Sequence, residues 1–227
     1  MNAHHLSRSY KAILYFLRFA FRLFFNVDAQ GLEQTPLEGP LLLASNHYSV
    51  YEGPLIFSIV PRQPIAPMAK AEYKDTILAK LVFDPIKSIF VSRGEADRQA
   101  LREIIKRLKN NEAFGIAPEG TRSPTGTLIQ AKEGTAYIAL KTNAWIFPVG
   151  VWGPENIVHD LIRLRRPKMY LRAGQPFKLE KDPTKSRNEN MEAGTERIMH
   201  AIARLLPPKY RGYYADGVQG EPEWPQK

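Results

Sequence analysis

Apolar and polar positions along this chain change period several times, and each change marks an element. Residues 12–27 are mostly Ile, Leu, Phe and Val, interrupted by Arg18 and Arg22, which predicts a first helix. A loop rich in Gly, Gln, Thr and Pro (30–40) leads into the apolar run 41–44, a strand of the buried kind. Further strands are expected at 65–68, 88–91, 114–117, 146–152 and 168–173. Further helices are expected near 54–59, at 73–82, after a cap at Asp97 through Leu101, Ile104, Ile105 and Leu108, at 132–142, and at 189–206 before Pro207 and Pro208. Pro148 has no N–H for a ladder, so the strand that holds it is expected at an edge or on a bulge. The Pro/Gly-rich stretch from Lys209 onward reads as a surface wrap or a disordered tail. No internal repeat is visible.

Strands alternating with helices give an α/β chain: a mixed central sheet flanked by helices, with functional loops at strand ends. The order is too irregular for a simple doubly wound sheet. Three parts are expected: an amphipathic membrane-associating helix (1–27), one large domain (28–208) and a C-terminal tail (209–227).

The first helix decides how the chain relates to a membrane. At about 100° per residue, Arg8, Lys11, Arg18, Arg22 and Asn26 fall within roughly 80° of one another. Ile13, Leu14, Phe16, Leu17, Phe19, Phe21, Leu23 and Phe24 fill the rest of the circumference. As a spanning segment, two central arginines would cost about 5 to 7 kcal/mol, and the apolar residues would return only about 3 to 6. A narrow cationic stripe on a broad aromatic face instead predicts a helix in the membrane interface, its arginines reaching lipid phosphates. The competing reading is a core-packing helix with a solvated edge. No small-residue cleavage site follows, which argues against a removed signal peptide. The expected location is the cytoplasmic face of the cell membrane, peripheral or monotopic.

Composition narrows the chemistry. With 32 Lys and Arg against 23 Asp and Glu, the chain carries a formal charge of +9, which favours anionic partners. The absence of cysteine excludes disulfides, thiolate catalysis and thiolate-held zinc. The basic run Arg163-Leu164-Arg165-Arg166-Pro167-Lys168 is accompanied by no nucleic-acid reader motif, and no nucleic-acid partner is expected. No residue cluster calls for a metal or a cofactor.

Two strand ends carry candidate chemistry. After the run 41–44 comes Ser45-Asn46-His47-Tyr48-Ser49-Val50-Tyr51-Glu52. A neutral imidazole at His47 can accept a proton, and a carboxylate at Glu52 can fix its tautomer and stabilise the imidazolium. Glu52 also reads as a helix N-terminal carboxylate placed by the dipole. After the strand at 114–117 comes Pro118-Glu119-Gly120-Thr121-Arg122-Ser123, a small-residue turn with an arginine, suited to an anion. Arg93, before Gly94, reads as a second phosphate clamp or as a capping cation. Neither a nucleotide-binding P-loop nor a Gly-x-Ser-x-Gly elbow is present.

In chain order, Asn46-His47 with Glu52, Val91-Ser92-Arg93-Gly94-Glu95, Pro118 to Ser123, and Phe147-Pro148-Val149-Gly150 resemble the motifs of the glycerolipid acyltransferases, over roughly residues 28–180. The leading helix and Leu206-Pro207-Pro208-Lys209-Tyr210-Arg211-Gly212 are similar to those of bacterial members. The resemblance implies transfer of a fatty acyl group from acyl-CoA or acyl-carrier protein to a lysophospholipid hydroxyl, above all that of 1-acylglycerol 3-phosphate. It implies His47 as general base, Glu52 as its orienter, Arg93 and Arg122 on the acceptor phosphate, Glu119, Gly120 and Thr121 shaping that loop, and Pro148 in a pocket wall. A backbone donor near Gly120 would stabilise the oxyanion. One position departs from the family pattern, which has aspartate where this chain has Glu52. A carboxylate displaced by about 1 Å can cost on the order of 100-fold in rate. Two further readings follow: another acyl acceptor, or a lipid-binding protein on the same scaffold with impaired catalysis.

Overall fold

The computed structural model describes residues 6–92, 98–153 and 157–218. Helix α1 (Arg8–Phe24) starts at Ser7, whose hydroxyl accepts the Tyr10 N–H, and runs almost directly into β1 (Asn26–Gln30). Then follow β2 (Leu41–Ser45), α2 (Glu52–Ile59), β3 (Ile65–Lys70), β4 (Ile89–Val91), α3 (Arg98–Lys109) and β5 (Ala113–Ile116). The chain continues through α4 (Gly134–Thr142), β6 (Trp145–Trp152), α5 (Ile157–Ile162), β7 (Lys168–Ala173) and α6 (Arg187–Arg204).

The seven strands form one sheet in the order β1-β7-β6-β2-β5-β3-β4. The five from β6 to β4 are mutually parallel, β7 is antiparallel to β6, and β1 is parallel to β7. The mixed α/β sheet flanked by helices is therefore as expected. Alternation along β2 shows how the layers are divided. Leu41 and Leu43 face the side covered by α1 and α2, whereas Leu42 and Ala44 face α3, α4 and α6. Both faces are covered, so the strand is apolar throughout instead of alternating with polar residues.

Several sequence expectations need correction. Strand β1 was hidden because Asn26–Gln30 is short and polar; Asp28 holds it to β7 through Arg172 at 2.9 Å. The boundary expected between residues 27 and 28 falls inside this strand. The helix expected at 73–82 is replaced by a 3-10 turn (Ala71–Tyr73) and a π-helical turn (Ala79–Phe83), the latter closed by the Asp84 amide on the Ala79 carbonyl. Helix α5 was not anticipated. The cap at Asp97 lies outside the described residues.

Pro148 sits in β6, an inner strand, so the edge expectation fails. The irregularity lies in the partner chain instead: between Val149↔Ala173 and the isolated bridge Ile146↔Phe177 that chain carries one residue more, and the Pro148 carbonyl accepts the Gly174 N–H. Residues 209–218 of the tail pack on the domain. Tyr214 and Val218 are buried with α6, and the backbone of Tyr210 and Tyr213 brackets Leu128.

Helix α1 packs against α2 through Tyr10, Leu14 and Phe21, and the Ile65 amide donates to the Tyr10 hydroxyl. Arg18 was expected to reach lipid. Its Nε instead donates to the Ser58 carbonyl at 2.8 Å, satisfying an acceptor in the last turn of α2. Arg166, from the basic run, likewise caps α1 by donating to the carbonyls of Arg22 and Phe25. Among the described residues, no helix is long and apolar enough to cross a membrane.

Candidate active site

Strands β2 and β5 are neighbours and parallel, so their carboxyl ends open on the same edge of the sheet, where α/β proteins place ligands. His47 lies two residues beyond β2 and Glu119 three beyond β5. Asn46 fixes the exit from β2: its side-chain amide donates to the Val151 carbonyl and accepts the Val151 N–H, both at 2.8 Å. That side chain extends the β2–β6 ladder by one rung after the backbone has turned away.

His47 is partly exposed, with 29% of its side chain accessible, while Glu52 is buried. The His47 Nδ1 bonds Glu52 Oε1. The other oxygen, Oε2, accepts from the Ser49 amide at 2.9 Å and the Ser49 hydroxyl at 2.7 Å. Residues 47–51 precede α2, so the pairing comes from a turn and not from helical spacing. The signal for it was Ser49-x-x-Glu52, in which a glutamate reaches back to the amide at a helix start. The additional methylene of Glu52 is accommodated: both oxygens are engaged and the imidazole contact is made. With Nδ1–H donated to the carboxylate, Nε2 is left as a proton acceptor.

Glu119 is 1% exposed and joins the two loops. Its Oε1 accepts the His47 N–H at 2.7 Å, and its Oε2 accepts the Ile129 N–H at 3.0 Å. A third bond, from the Ser123 N–H to the His47 carbonyl at 2.8 Å, closes the clasp. Burial raises the Glu119 carboxyl above its ordinary value, and the two amides and the nearby imidazole oppose that shift.

Gly120 adopts φ +68°, which favours glycine, and its N–H donates to the Ala117 carbonyl. That amide is occupied by the turn, so a free donor near Gly120 has to come from the residues that follow it. The amides of Thr121 and Arg122 have no hydrogen-bond partner among the described residues. Thr121 and Arg122 are exposed, and the Arg122 guanidinium forms no ion pair there. Arg93 lies outside the described residues. Pro148 packs inward on Gly174, where an added Cβ would lie 3.2 Å from its Cγ, so it belongs to the packed interior and not to a pocket wall.

The sequence reading missed the support from the tail. The Ala131 N–H donates to the Tyr214 hydroxyl at 3.0 Å, and the Tyr210 carbonyl accepts the Leu128 N–H. Gly212 makes this possible: a Cβ there would lie 2.2 Å from the Leu128 carbonyl oxygen.

The family model for Acyltransferase matches residues 26–152, from β1 to the end of β6, and so takes in both loops of the site. The chain belongs to the Acyltransferase family. It is similar to a 1-acyl-sn-glycerol-3-phosphate acyltransferase of Borreliella burgdorferi, 30% identical over 56% of this chain and 51% of that one. A relative from Cocos nucifera with the same description is 31% identical over 48% of this chain and 36% of its own length. This Acyltransferase family member thus spans about half the length, or less, of the curated relatives it matches. A solved structure, the 1-acyl-sn-glycerophosphate (LPA) acyltransferase PlsC of Thermotoga maritima, superposes with a TM-score of 0.68 at 30% identity, covering 90% of this chain and 83% of that one.

Proposed function

We propose that this chain is an O-acyltransferase that moves a fatty acyl group from a thioester donor, acyl-CoA or acyl-carrier protein, to the hydroxyl of 1-acylglycerol 3-phosphate in phospholipid synthesis. The observation that carries this reading is the His47–Glu52 pair, with Nε2 open beside the 119–123 loop. Nε2 takes the hydroxyl proton as the oxygen attacks the thioester carbonyl. The tetrahedral oxyanion faces the amides of Thr121 and Arg122. The C–S bond then breaks, the new C–O ester bond remains, and the proton on Nε2 passes to the departing thiolate. Arg122, with Arg93, holds the acceptor phosphate.

The reaction takes place at a membrane surface, on the cytoplasmic side, with the protein peripheral or monotopic there. In support, α1 exposes Tyr15, Phe16, Phe19 and Leu23 beside Arg8, Lys11 and Arg22. Tyr73, Ile77, Leu78 and Leu81, with Lys74 and Lys80 among them, form a second exposed apolar stretch. It leads into Phe83, which packs against the same core cluster as α1 and α2.

The test is transfer of labelled palmitoyl-CoA to lysophosphatidic acid in vesicles. Loss of the base costs about 10²- to 10⁴-fold, so His47→Ala is expected to abolish measurable turnover while the protein remains folded. Near-normal transfer by that variant would remove the mechanism.

A further inference from the structure

On the sheet face opposite α1, the starts of α3, α4 and α6 converge on a groove of about 420 Å³. Its apolar floor includes Leu101, Tyr137 and Met191, and three arginines, Arg98, Arg102 and Arg187, line it. Arg187 lies over the Tyr137 ring at 4.9 Å. None of the three arginines forms an ion pair with a carboxylate of the described residues, although Glu133 lines the same groove. Three guanidinium groups without a carboxylate partner among the described residues, set around an apolar floor, match an amphiphile with a phosphate-bearing head.

The groove also adjoins the catalytic loop. Glu133 and Gly134 directly follow Lys132, whose amide donates to the Pro118 carbonyl and whose side chain covers Gly120, 3.2 Å from where a Cβ would stand. Helix α1, with its exposed aromatic residues, covers the other face, and the Ile77–Leu81 stretch leads into Phe83, which packs on the core of that face. The groove therefore looks away from the proposed lipid surface, toward water.

We propose that this groove binds the phosphate-bearing head of the thioester donor, so that the donor enters from the aqueous side while the lipid acceptor enters from the membrane side. The proposal rests on the acyl-transfer reading for its substrate. The shared ligand chemistry is phosphorylated pantetheine, supplied by coenzyme A or by a carrier protein. Arg122 and Arg93 are assigned to the acceptor, which leaves Arg98, Arg102 and Arg187 as an independent anion site.

The experiment compares wild type with the combined Arg98→Gln, Arg102→Gln and Arg187→Gln variant, and with lysine at the same three positions. Calorimetric binding of coenzyme A, which needs no turnover, is expected to weaken by about tenfold or more in the glutamine variant and to recover largely with lysine. The KM for palmitoyl-CoA should rise by a similar factor, with the KM for lysophosphatidic acid and kcat within about twofold of wild type. Acyl-pantetheine lacks the phosphate and should be used alike by both proteins. A rise confined to acyl-carrier protein identifies the carrier as the source and also supports the groove. Unchanged coenzyme A affinity together with unchanged KM for both donors overturns the proposal. If wild type transfers no acyl group yet loses coenzyme A binding in the variant, the groove stands and the acyl-transfer reading falls.

Discussion

At the scale of single residues, the unusual carboxylate is a fitted part. Glu52 reaches His47 with one oxygen because Ser49 holds the other from its amide and hydroxyl. Shortening the side chain withdraws the carboxylate by one methylene from both. Glu52→Asp is therefore expected to lower kcat by about 10- to 100-fold with little change in KM, measured by steady-state transfer, even though aspartate is the usual family residue. Equal or faster turnover would show that the turn at Ser49 adapts. Glu119 supplies a pH signature. Its carboxyl is raised by burial, so the folded chain keeps a proton that the unfolded chain has released just above the ordinary range near 4.5. That stability is fully present in acid and declines as pH rises through the raised folded value. Glutamine cannot ionise, so near pH 4 the neutral carboxyl and Glu119→Gln should melt alike, and toward neutrality the wild type should lose melting temperature relative to the variant. A wild type that gains on the variant as pH rises would mean that the two donated amides outweigh burial.

At the scale of elements, α1 has three faces, not the two anticipated. One packs on α2, one carries cations and one exposes aromatic rings. The helical wheel grouped the charged positions but could not divide the apolar ones between the face packed on α2 and the exposed one, since both accept phenylalanine. It also assigned Arg18 to phosphate, because a carbonyl at the end of another helix is not visible in local sequence. Phe16→Ser with Phe19→Ser, both at exposed positions, should reduce cosedimentation with anionic vesicles by about tenfold while leaving the melting temperature within a few degrees. Unchanged sedimentation would remove α1 from the membrane contact. Strand β7 and the start of α6 were more legible. β7 has the expected bounds, and the Ser186–Glu189 capping box confirms a start that the sequence reading placed only two residues late. β1 was not legible, because five half-polar residues become a strand only when β7 is beside them.

At the scale of the molecule, the sequence order β2, β5, β6 becomes the spatial order β6-β2-β5, which brings loops some 70 residues apart in sequence into contact. Motif reading named His47, Glu52 and Glu119, yet could not foresee that Glu119 would touch the His47 backbone, nor that the tail would brace the far end of the loop through Tyr214. Those contacts depend on strand adjacency, which no local pattern encodes.

The clasp at Glu119 has a consequence for local opening. A buried carboxylate whose partners are the amides of His47 and Ile129 loses both if either loop lifts away, and an unsatisfied buried acceptor costs about 1 to 3 kcal/mol or more when charged. Fraying of one loop therefore makes the other loop's position unfavourable, and both are tied to inner strands. The segment that holds His47 is thereby tied to the sheet, so its amides are expected to exchange with solvent mainly through openings that also disrupt the core.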